Sequence, residues 1–254
     1  MSGHSKWANI KHRKGAADIK KGKVFSRLGK EIMVSVRCGG KDPATNTRLR
    51  TALTAARDSN MPKDNIERAI KKGAGETGET INYENILYEG WSNGVAVLAE
   101  CLTENKNRTA SEIRMVFDRN NGTMAGGGSV IRMFHRKSHF VVKGENADED
   151  KLMNIVLDAG AEDIEVDDGV AEIWGPQDAY DSISKALANA KIATEESGIV
   201  QKPEILVEVK DPNIARQVLG LVEKLEENED IQAVYSNFDI SDEVLEKAMA
   251  DQGK

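Results

Sequence analysis

Cysteine, proline and long apolar runs are scarce in this chain of 254 residues, and each scarcity excludes a class of protein. The two cysteines, Cys38 and Cys101, lie far apart on segments predicted to be a helix end and a strand, so we expect reduced thiols and a cytoplasmic location. No segment approaches the roughly 18 consecutive apolar residues of a membrane helix, and the basic N-terminus lacks the apolar stretch of a signal peptide. With five prolines and 39% hydrophobic residues, the composition is typical of a soluble globular protein rather than a disordered one.

Motifs for catalysis and metal binding are also missing. Zinc ligands usually come in clustered pairs, and none of the four histidines has a metal-ligand spacing with Cys38 or Cys101. These histidines are His4, His12, His135 and His139. Gly90-Trp91-Ser92-Asn93-Gly94 has the letters of Gly-x-Ser-x-Gly, but we expect no nucleophile elbow there. The sequence contains no His-Glu-x-x-His and no P-loop, and an acidic pair such as Asp167–Asp168 fits a turn better than an acid–base site. We therefore expect no metal, no cofactor, no small-molecule substrate and no enzymatic activity.

Charge is distributed unevenly along the chain. Residues 1–75, the basic head, contain eighteen lysines and arginines against six acidic residues, which gives a net charge of +12. The remaining residues, 76–254, form an acidic body with a net charge of −19, so the overall charge of −7 hides two opposite regions. A cationic region in an otherwise anionic protein indicates a polyanionic partner.

The basic head is predicted to be helical. Apolar residues recur at three- and four-residue steps over about residues 16–37, which predicts one amphipathic helix. Its apolar stripe consists of Val24, Phe25, Leu28, Ile32 and Val36. Five basic residues fall largely off this stripe and are expected in water, namely Lys20, Lys21, Lys23, Arg27 and Lys30. Asp42–Pro43 predicts the start of a second helix and Pro62 that of a third over residues 63–72, so the sequence predicts an all-α domain at residues 1–78.

The acidic body, after a glycine-rich linker at residues 73–82, is predicted to alternate strands and helices. The order β-α-β-β-α-β is complete within about residues 138–200, which predicts a ferredoxin-like domain. Residues 95–135 and 204–236 each supply only one β-α-β unit, too little to bury a sheet face alone. The prediction is therefore an α+β fold of three domains, a helical one followed by two ferredoxin-like α/β domains, the middle one discontinuous. Their boundaries are 1–78, 79–136 with 202–254, and an inserted 137–201.

The individual elements of the body follow from the same periodicities. Strands are predicted at residues 95–102, 129–134, 140–142, 163–166, 170–174, 192–200, 204–209 and 231–235. Helices are predicted at residues 108–120, 148–159, 177–190, 212–227 and 242–250.

The basic head supplies the candidate nucleic-acid-binding residues. A run of charge is usually a solvated face, but here the excess persists across all three predicted helices and includes Trp7, a candidate for stacking on a base. Phe25 lies on the apolar stripe and is predicted to be core. The candidates are Lys6, Trp7, Lys11, His12, Arg13, Lys14, Lys20, Lys21, Lys23, Arg27, Lys63, Arg68, Lys71 and Lys72. The acidic body repels the same polyanion, which would confine contact to the head without any base readout.

A glycine-rich loop at residues 120–128 is a further possible contact. Gly126, Gly127 and Gly128 would let the backbone approach a phosphate closely. A long connection with no ligand is the alternative, and for a lone glycine loop it is the favoured one.

Several short segments of the chain resemble the YebC family, and together they extend over nearly its whole length. The segments are Gly3-His4-Ser5-Lys6-Trp7-Ala8-Asn9-Ile10-Lys11-His12, Asn60-Met61-Pro62-Lys63-Asp64-Asn65-Ile66-Glu67-Arg68-Ala69-Ile70-Lys71, Tyr88-Glu89-Gly90, Asn107-Arg108-Thr109, Gly128-Ser129-Val130, Val234-Tyr235 and Asn237-Phe238-Asp239. The resemblance implies a helical domain followed by two α/β domains. It also implies DNA-binding regulation of transcription, or ribosome association that helps translation through consecutive prolines, since the family includes mitochondrial translational activators of cytochrome oxidase.

Two partners therefore stay open, DNA and ribosomal RNA. The first interpretation is a DNA-binding regulator of transcription, and the alternative is a ribosome-associated translation factor. No recognisable helix-turn-helix is present, and few asparagines or glutamines lie on the basic faces, which favours recognition of backbone and shape. A third interpretation is a protein–protein scaffold that acts through its acidic domains. No membrane partner and no particular oligomeric state are predicted.

Overall fold

A computed structural model describes residues 17–78 and 82–250, with side chains from residue 22 onward. The described part of the basic head forms three helices, α1 (Ala17–Gly39), α2 (Thr47–Asp58) and α3 (Lys63–Gly73). They pack around a small apolar core made of Ile32, Val36, Leu49, Ala52, Leu53, Ala56, Met61 and Ala69. Phe25 and Leu28 pack against this core, as the apolar stripe predicts, whereas Val24 is exposed and the prediction for it was wrong.

Helix α2 begins later than Asp42–Pro43, so that predicted start was wrong. The carboxylate of Asp42 accepts a hydrogen bond from the backbone N of Ala44 at 2.9 Å, which closes a turn instead of opening a helix. The cap is Asn46, whose Oδ1 accepts from the N of Leu49 at 3.0 Å. Its Nδ2 donates to the carbonyl of Ser35 at 2.7 Å, so this buried side chain also ties the end of α1 to the start of α2.

The first sheet of the body has the order β3-β1-β2-β9. Its elements are β1 (Glu84–Ser92), β2 (Val95–Thr103), α4 (Lys106–Arg119), β3 (Gly122–Met124), α7 (Pro212–Glu226) and β9 (Ile231–Ser236). In the reverse direction the order is β9-β2-β1-β3, which matches the strand order of a ferredoxin-like sheet. In this sheet β1 occupies the position of the third strand. The sequence did not predict β1, although Asn93-Gly94, with φ of 51° and 82°, makes the tight turn that pairs it with β2.

The second sheet has the order β5-β6-β4-β7, and every pair in it is antiparallel. Its elements are β4 (Phe134–Lys143), α5 (Glu149–Val156), β5 (Asp163–Asp167), β6 (Val170–Pro176), α6 (Tyr180–Asn189) and β7 (Glu196–Pro203). Alternate residues of the strands face the helices, and Phe140, Ile173 and Leu187 are among the side chains that fill the core between them. This is the ferredoxin-like order that the sequence predicts for residues 138–200.

Two predicted strands flanking this sheet were wrong. Residues 129–134 contain a short 3-10 turn, Ile131–Met133, and β4 starts only at Phe134. Of residues 204–209, only β8 (Val207–Glu208) is a strand, and it pairs in parallel with β10 (Phe238–Asp239). Helix α8 (Asp242–Ala250) ends the described chain. Ile205 and Leu206, which gave the second segment its apolar pattern, are exposed.

The predicted α+β class is confirmed, with N-terminal helices followed by two sheet-containing regions. By compactness the chain divides into two units. One contains helices α1–α3 together with the sheet β3-β1-β2-β9, and the other contains the sheet β5-β6-β4-β7 with the β8–β10 pair. The three sets of domain boundaries stay a prediction. Among the described residues no helix has the length and apolarity that a membrane-crossing segment needs.

Candidate nucleic-acid interface

Eight of the fourteen candidates in the basic head lie outside the side chains that the structure describes. They are Lys6, Trp7, Lys11, His12, Arg13, Lys14, Lys20 and Lys21. The other six lie on two helices, α1 and α3, which place them in different surroundings.

Helix α3 holds its candidates toward water. Lys63, Arg68 and Lys71 are exposed, and Lys72 is half-buried. The Nζ of Lys63 lies 3.6 Å from Oε1 of Glu67, and the lysine side chain is still 88% exposed. Such a surface ion pair contributes little and exchanges readily for another anion. The exposed side of α3 also carries Asp64 and Glu67, but its cations outnumber them, so it is a net cationic surface that a polyanion can reach.

Helix α1 uses its candidates differently. The Nζ of Lys23 donates to the carbonyl oxygen of Glu227 at 3.0 Å, and Arg27 donates to the carbonyl oxygen of Glu226. These carbonyls end helix α7, where the helix dipole concentrates negative charge. Arg27 is half-buried, and the loss of hydration lowers the pKa of its guanidinium despite the nearby Glu226 carboxylate. We call Lys23, Arg27 and Lys30 the α1 clasp.

Lys30 completes the α1 clasp through a buried carboxylate. Its Nζ donates to Oδ1 of Asp230 at 2.8 Å, and the two side chains are only 13% and 6% exposed. Oδ2 of Asp230 accepts from Arg108 at 2.6 Å and from the hydroxyl of Thr109 at 2.7 Å. Burial alone would raise the pKa of Asp230, but the hydrogen bonds from Lys30, Thr109 and Arg108 outweigh it and hold that pKa at about 2.

The prediction that Arg27 and Lys30 stay in water was therefore wrong. Periodicity places both residues off the apolar stripe of α1, which is correct, but the side opposite that stripe meets the end of helix α7. The partners that bury them follow about 200 residues later in the chain, so no local pattern indicates the contact.

The glycine-rich loop binds a carboxylate of the protein itself. The carboxylate of Glu89 on β1 accepts from the backbone N of Gly128 at 2.6 Å and from that of Val130 at 2.5 Å. Glu89 is only 4% exposed. The N–H of Gly128 thus has a carboxylate partner already, whereas a phosphate contact at Gly126 and Gly127, both exposed, stays a prediction.

The described residues offer little for chemistry. No group of three or more histidine, cysteine or acidic side chains among them is placed to share a metal ion. Both cysteines are free thiols, as predicted. Burial raises the pKa of Cys101 to about 12, so this thiol is protonated at neutral pH and is a poor nucleophile.

Comparison with known proteins agrees with this architecture over nearly the whole chain. Residues 5–76 match the model of the TACO1/YebC protein N-terminal domain, and residues 83–238 match that of the TACO1/YebC second and third domain. A relative from Magnetococcus marinus, named a probable transcriptional regulatory protein, is 48% identical over 98% of this chain and 100% of its own length. One of the same name from Treponema pallidum strain Nichols is 48% identical over 96% of this chain and 100% of its own.

A solved structure gives the same result. The crystal structure of a conserved hypothetical protein from Aquifex aeolicus matches with a TM-score of 0.82 and 38% identity, over 90% of this chain and 94% of that one. The N-terminal helices and the two sheet-containing regions are thus shared with a relative, and both parts of the chain match the family models. The chain belongs to the TACO1/YebC family, and its relatives from Magnetococcus marinus and Treponema pallidum are named probable transcriptional regulatory proteins.

Proposed function

We propose that this protein is a non-enzymatic regulator that binds nucleic acid through its basic head, in the first instance as a DNA-binding regulator of transcription. The observation that carries the proposal is the exposed cationic side of α3, in a head of net charge +12 attached to a body of −19. The names of the relatives from Magnetococcus marinus and Treponema pallidum support a regulatory role.

Electrostatics explains how such a head would bind. Each phosphate neutralised by a lysine or arginine releases counterions and adds about 0.9 to the salt dependence of binding to duplex DNA. Because the α1 clasp is occupied by the end of helix α7, the contacts fall to α3 and to the basic segment before α1. The acidic body turns the polyanion away from the rest of the chain.

A ribosome-associated translation factor is the second candidate, and the scarcity of base-reading side chains favours it. Asparagine and glutamine are the usual readers of adenine in the major groove. Residues 17–78 contain no glutamine and three asparagines, of which Asn46 is buried as a helix cap and Asn60 lies in a turn with φ of 57°. Only Asn65 stands on α3. A surface with so few base-reading side chains can recognise the backbone and shape of folded RNA at least as well as a particular DNA sequence.

One experiment separates these candidates. The protein is sedimented with ribosomes, and its binding to promoter DNA and to random DNA is measured by fluorescence anisotropy at the same salt concentration. A promoter preference supports transcription. A tight ribosome complex beside salt-sensitive, sequence-independent DNA binding supports translation. No binding to either at low salt contradicts the proposal.

Charge reversal tests whether the basic head is the binding region. In the test variant, five cations of the head are changed to glutamate, namely Lys11, Arg13, Lys14, Lys20 and Lys21. In the matched control, five exposed lysines of the acidic body are changed to glutamate, namely Lys106, Lys151, Lys185, Lys191 and Lys247. We expect the first variant to lose binding to both DNA and ribosomes and the second to retain it. If the two variants bind DNA and ribosomes with equal affinity, the protein is better explained as a scaffold that acts through its acidic body.

A further inference from the structure

A groove of about 480 Å³ lies where the C-terminal ends of helices α1 and α3 meet. The two ends approach closely because of Gly73, where a Cβ atom would lie only 2.5 Å from the carbonyl oxygen of Met33. Any larger residue at this position would push the helices apart. The volume falls within the range of small-ligand sites and is far too small for a duplex. The groove therefore results from the close packing of α1 and α3.

The walls of the groove carry positive charge. Arg37 comes from the last turn of α1, Lys41 from the loop that follows, and Lys72 from the last turn of α3. The residues that line the groove, all within the described part of the chain, include no acidic side chain. The Nζ of Lys41 lies 2.5 Å from Oε1 of Glu76 outside the groove, but both side chains are about half exposed and such a pair contributes little. A phosphate can replace that carboxylate.

Helix dipoles account for only part of this charge. The carbonyl ends of α1 and α3 carry about half a negative charge each, and cations in a last turn usually offset it. Arg37 and Lys72 occupy such positions, whereas Lys41 stands beyond the end of α1 at Gly39. Three cations thus surround a groove whose described lining holds no carboxylate, and this composition suits it to an anion.

The groove also offers an apolar surface at its inner side. Tyr83 and Met33 line it, and both are half-buried. The Tyr83 phenol is neutral at physiological pH even at its ordinary pKa, and burial raises that pKa further. An aromatic ring beside lysines and arginines is the usual platform for an unstacked base, since every base has a π face to place on it.

We propose that this groove binds one unstacked nucleotide of a single-stranded nucleic acid. The base lies against Tyr83 and Met33, and its phosphate is held by Arg37, Lys41 and Lys72. This inference rests on the proposed function and narrows it, because only a strand with unpaired nucleotides can place a base in a groove of this size. The exposed side of α3 would hold the neighbouring phosphates without regard to strandedness.

Substitution of Tyr83 tests the inference. The probes are a labelled single-stranded oligoribonucleotide and a duplex DNA of the same length, measured by fluorescence anisotropy at one salt concentration. We expect Tyr83→Ala to weaken binding to the single strand about tenfold and to leave binding to the duplex unchanged. Tyr83→Phe keeps the ring and should bind as the unsubstituted protein does, which separates stacking from any role of the hydroxyl. A Tyr83→Ala protein with an unchanged ratio of the two affinities overturns the inference.

Lysine substitutions supply the matched control. Lys41→Ala should lower the salt slope on the single strand by about 0.7 and leave that on the duplex unchanged. Lys63→Ala removes the same charge from the exposed side of α3 and should weaken both probes alike. If Lys41→Ala also acts on both alike, the groove does not bind a nucleotide while the proposed function stands. If the unsubstituted protein binds neither probe at low salt, the proposed function fails as well.

Discussion

Helices α1 and α3 belong to the same basic head, yet their cations serve different ends. Those of the α1 clasp donate to the carbonyl end of α7 and to Asp230, and Arg27 and Lys30 are partly withdrawn from solvent. On α3, Lys63, Arg68 and Lys71 are exposed, and Lys63 forms a surface ion pair with Glu67. A charge count treats the two sets as equal. Their difference shows that a basic region can contain both the exposed cations of the proposed binding surface and cations that fix this region to an acidic body.

The largest expected effect comes from breaking the buried end of the α1 clasp. Asp230→Ala removes the acceptor of Lys30 and leaves its ammonium group buried without a counter-charge. We expect the free energy of unfolding to fall by about 3 kcal/mol, the lower end for a broken buried ion pair, because Arg108 is 46% exposed and can turn to water. Urea denaturation measures the change.

The double substitution Asp230→Ala with Lys30→Met provides the control for this prediction. It removes the stranded charge and keeps an apolar stem, so it should recover part of the lost stability. Asp158→Ala, which removes an exposed carboxylate, should change the free energy of unfolding very little. A double variant as unstable as the single one would mean that the unpaired lysine is not the source of the loss.

The second prediction concerns pH. The folded-state pKa of Asp230 is about 2, lowered from the ordinary 3.8, so the carboxylate contributes stability above about pH 4 and loses it as the pH falls toward 2. The difference between these two pKa values corresponds to a contribution of about 2 kcal/mol to the free energy of unfolding. Urea denaturation of the unsubstituted protein and of Asp230→Asn over this range should show the gap between them narrowing as the pH falls. A gap that stays constant would place the stabilisation elsewhere.

The sequence predicts the elements of this fold far better than the contacts between them. Helix α3 and the ferredoxin-like order of the sheet β5-β6-β4-β7 follow from local periodicity and from proline and glycine signals, and both are confirmed. Strand β1 was missed because residues 84–92 mix exposed and buried positions without a clean alternation. The turn signal at Asn93-Gly94 could have revealed it.

Long-range contacts decide what the candidate site becomes, and here the sequence is silent. Lys30 and Asp230 are separated by 200 positions, and Glu89 by 41 from the Val130 amide that it accepts from. In the sequence, Lys30 and Glu89 look like ordinary surface charges, because no neighbouring residue indicates the distant partner of either. Only the packing of α1 on the end of α7, and of the glycine-rich loop on β1, reveals that these charges are used internally.

The last prediction compares the two helices directly, through the salt dependence of binding. Changing Lys63, Arg68 and Lys71 on α3 to alanine should lower the salt slope on duplex DNA by about 0.9 for each phosphate that the helix no longer neutralises. Changing Lys30 on α1 to methionine removes one charge that already has an internal partner, so it should lower stability and leave the slope unchanged. Fluorescence anisotropy over a salt series gives the slopes, and urea denaturation gives the stabilities. A slope that falls equally per residue in both variants would mean that nucleic acid displaces Lys30 from Asp230 on binding, and the division between the two helices would then hold only for the free protein.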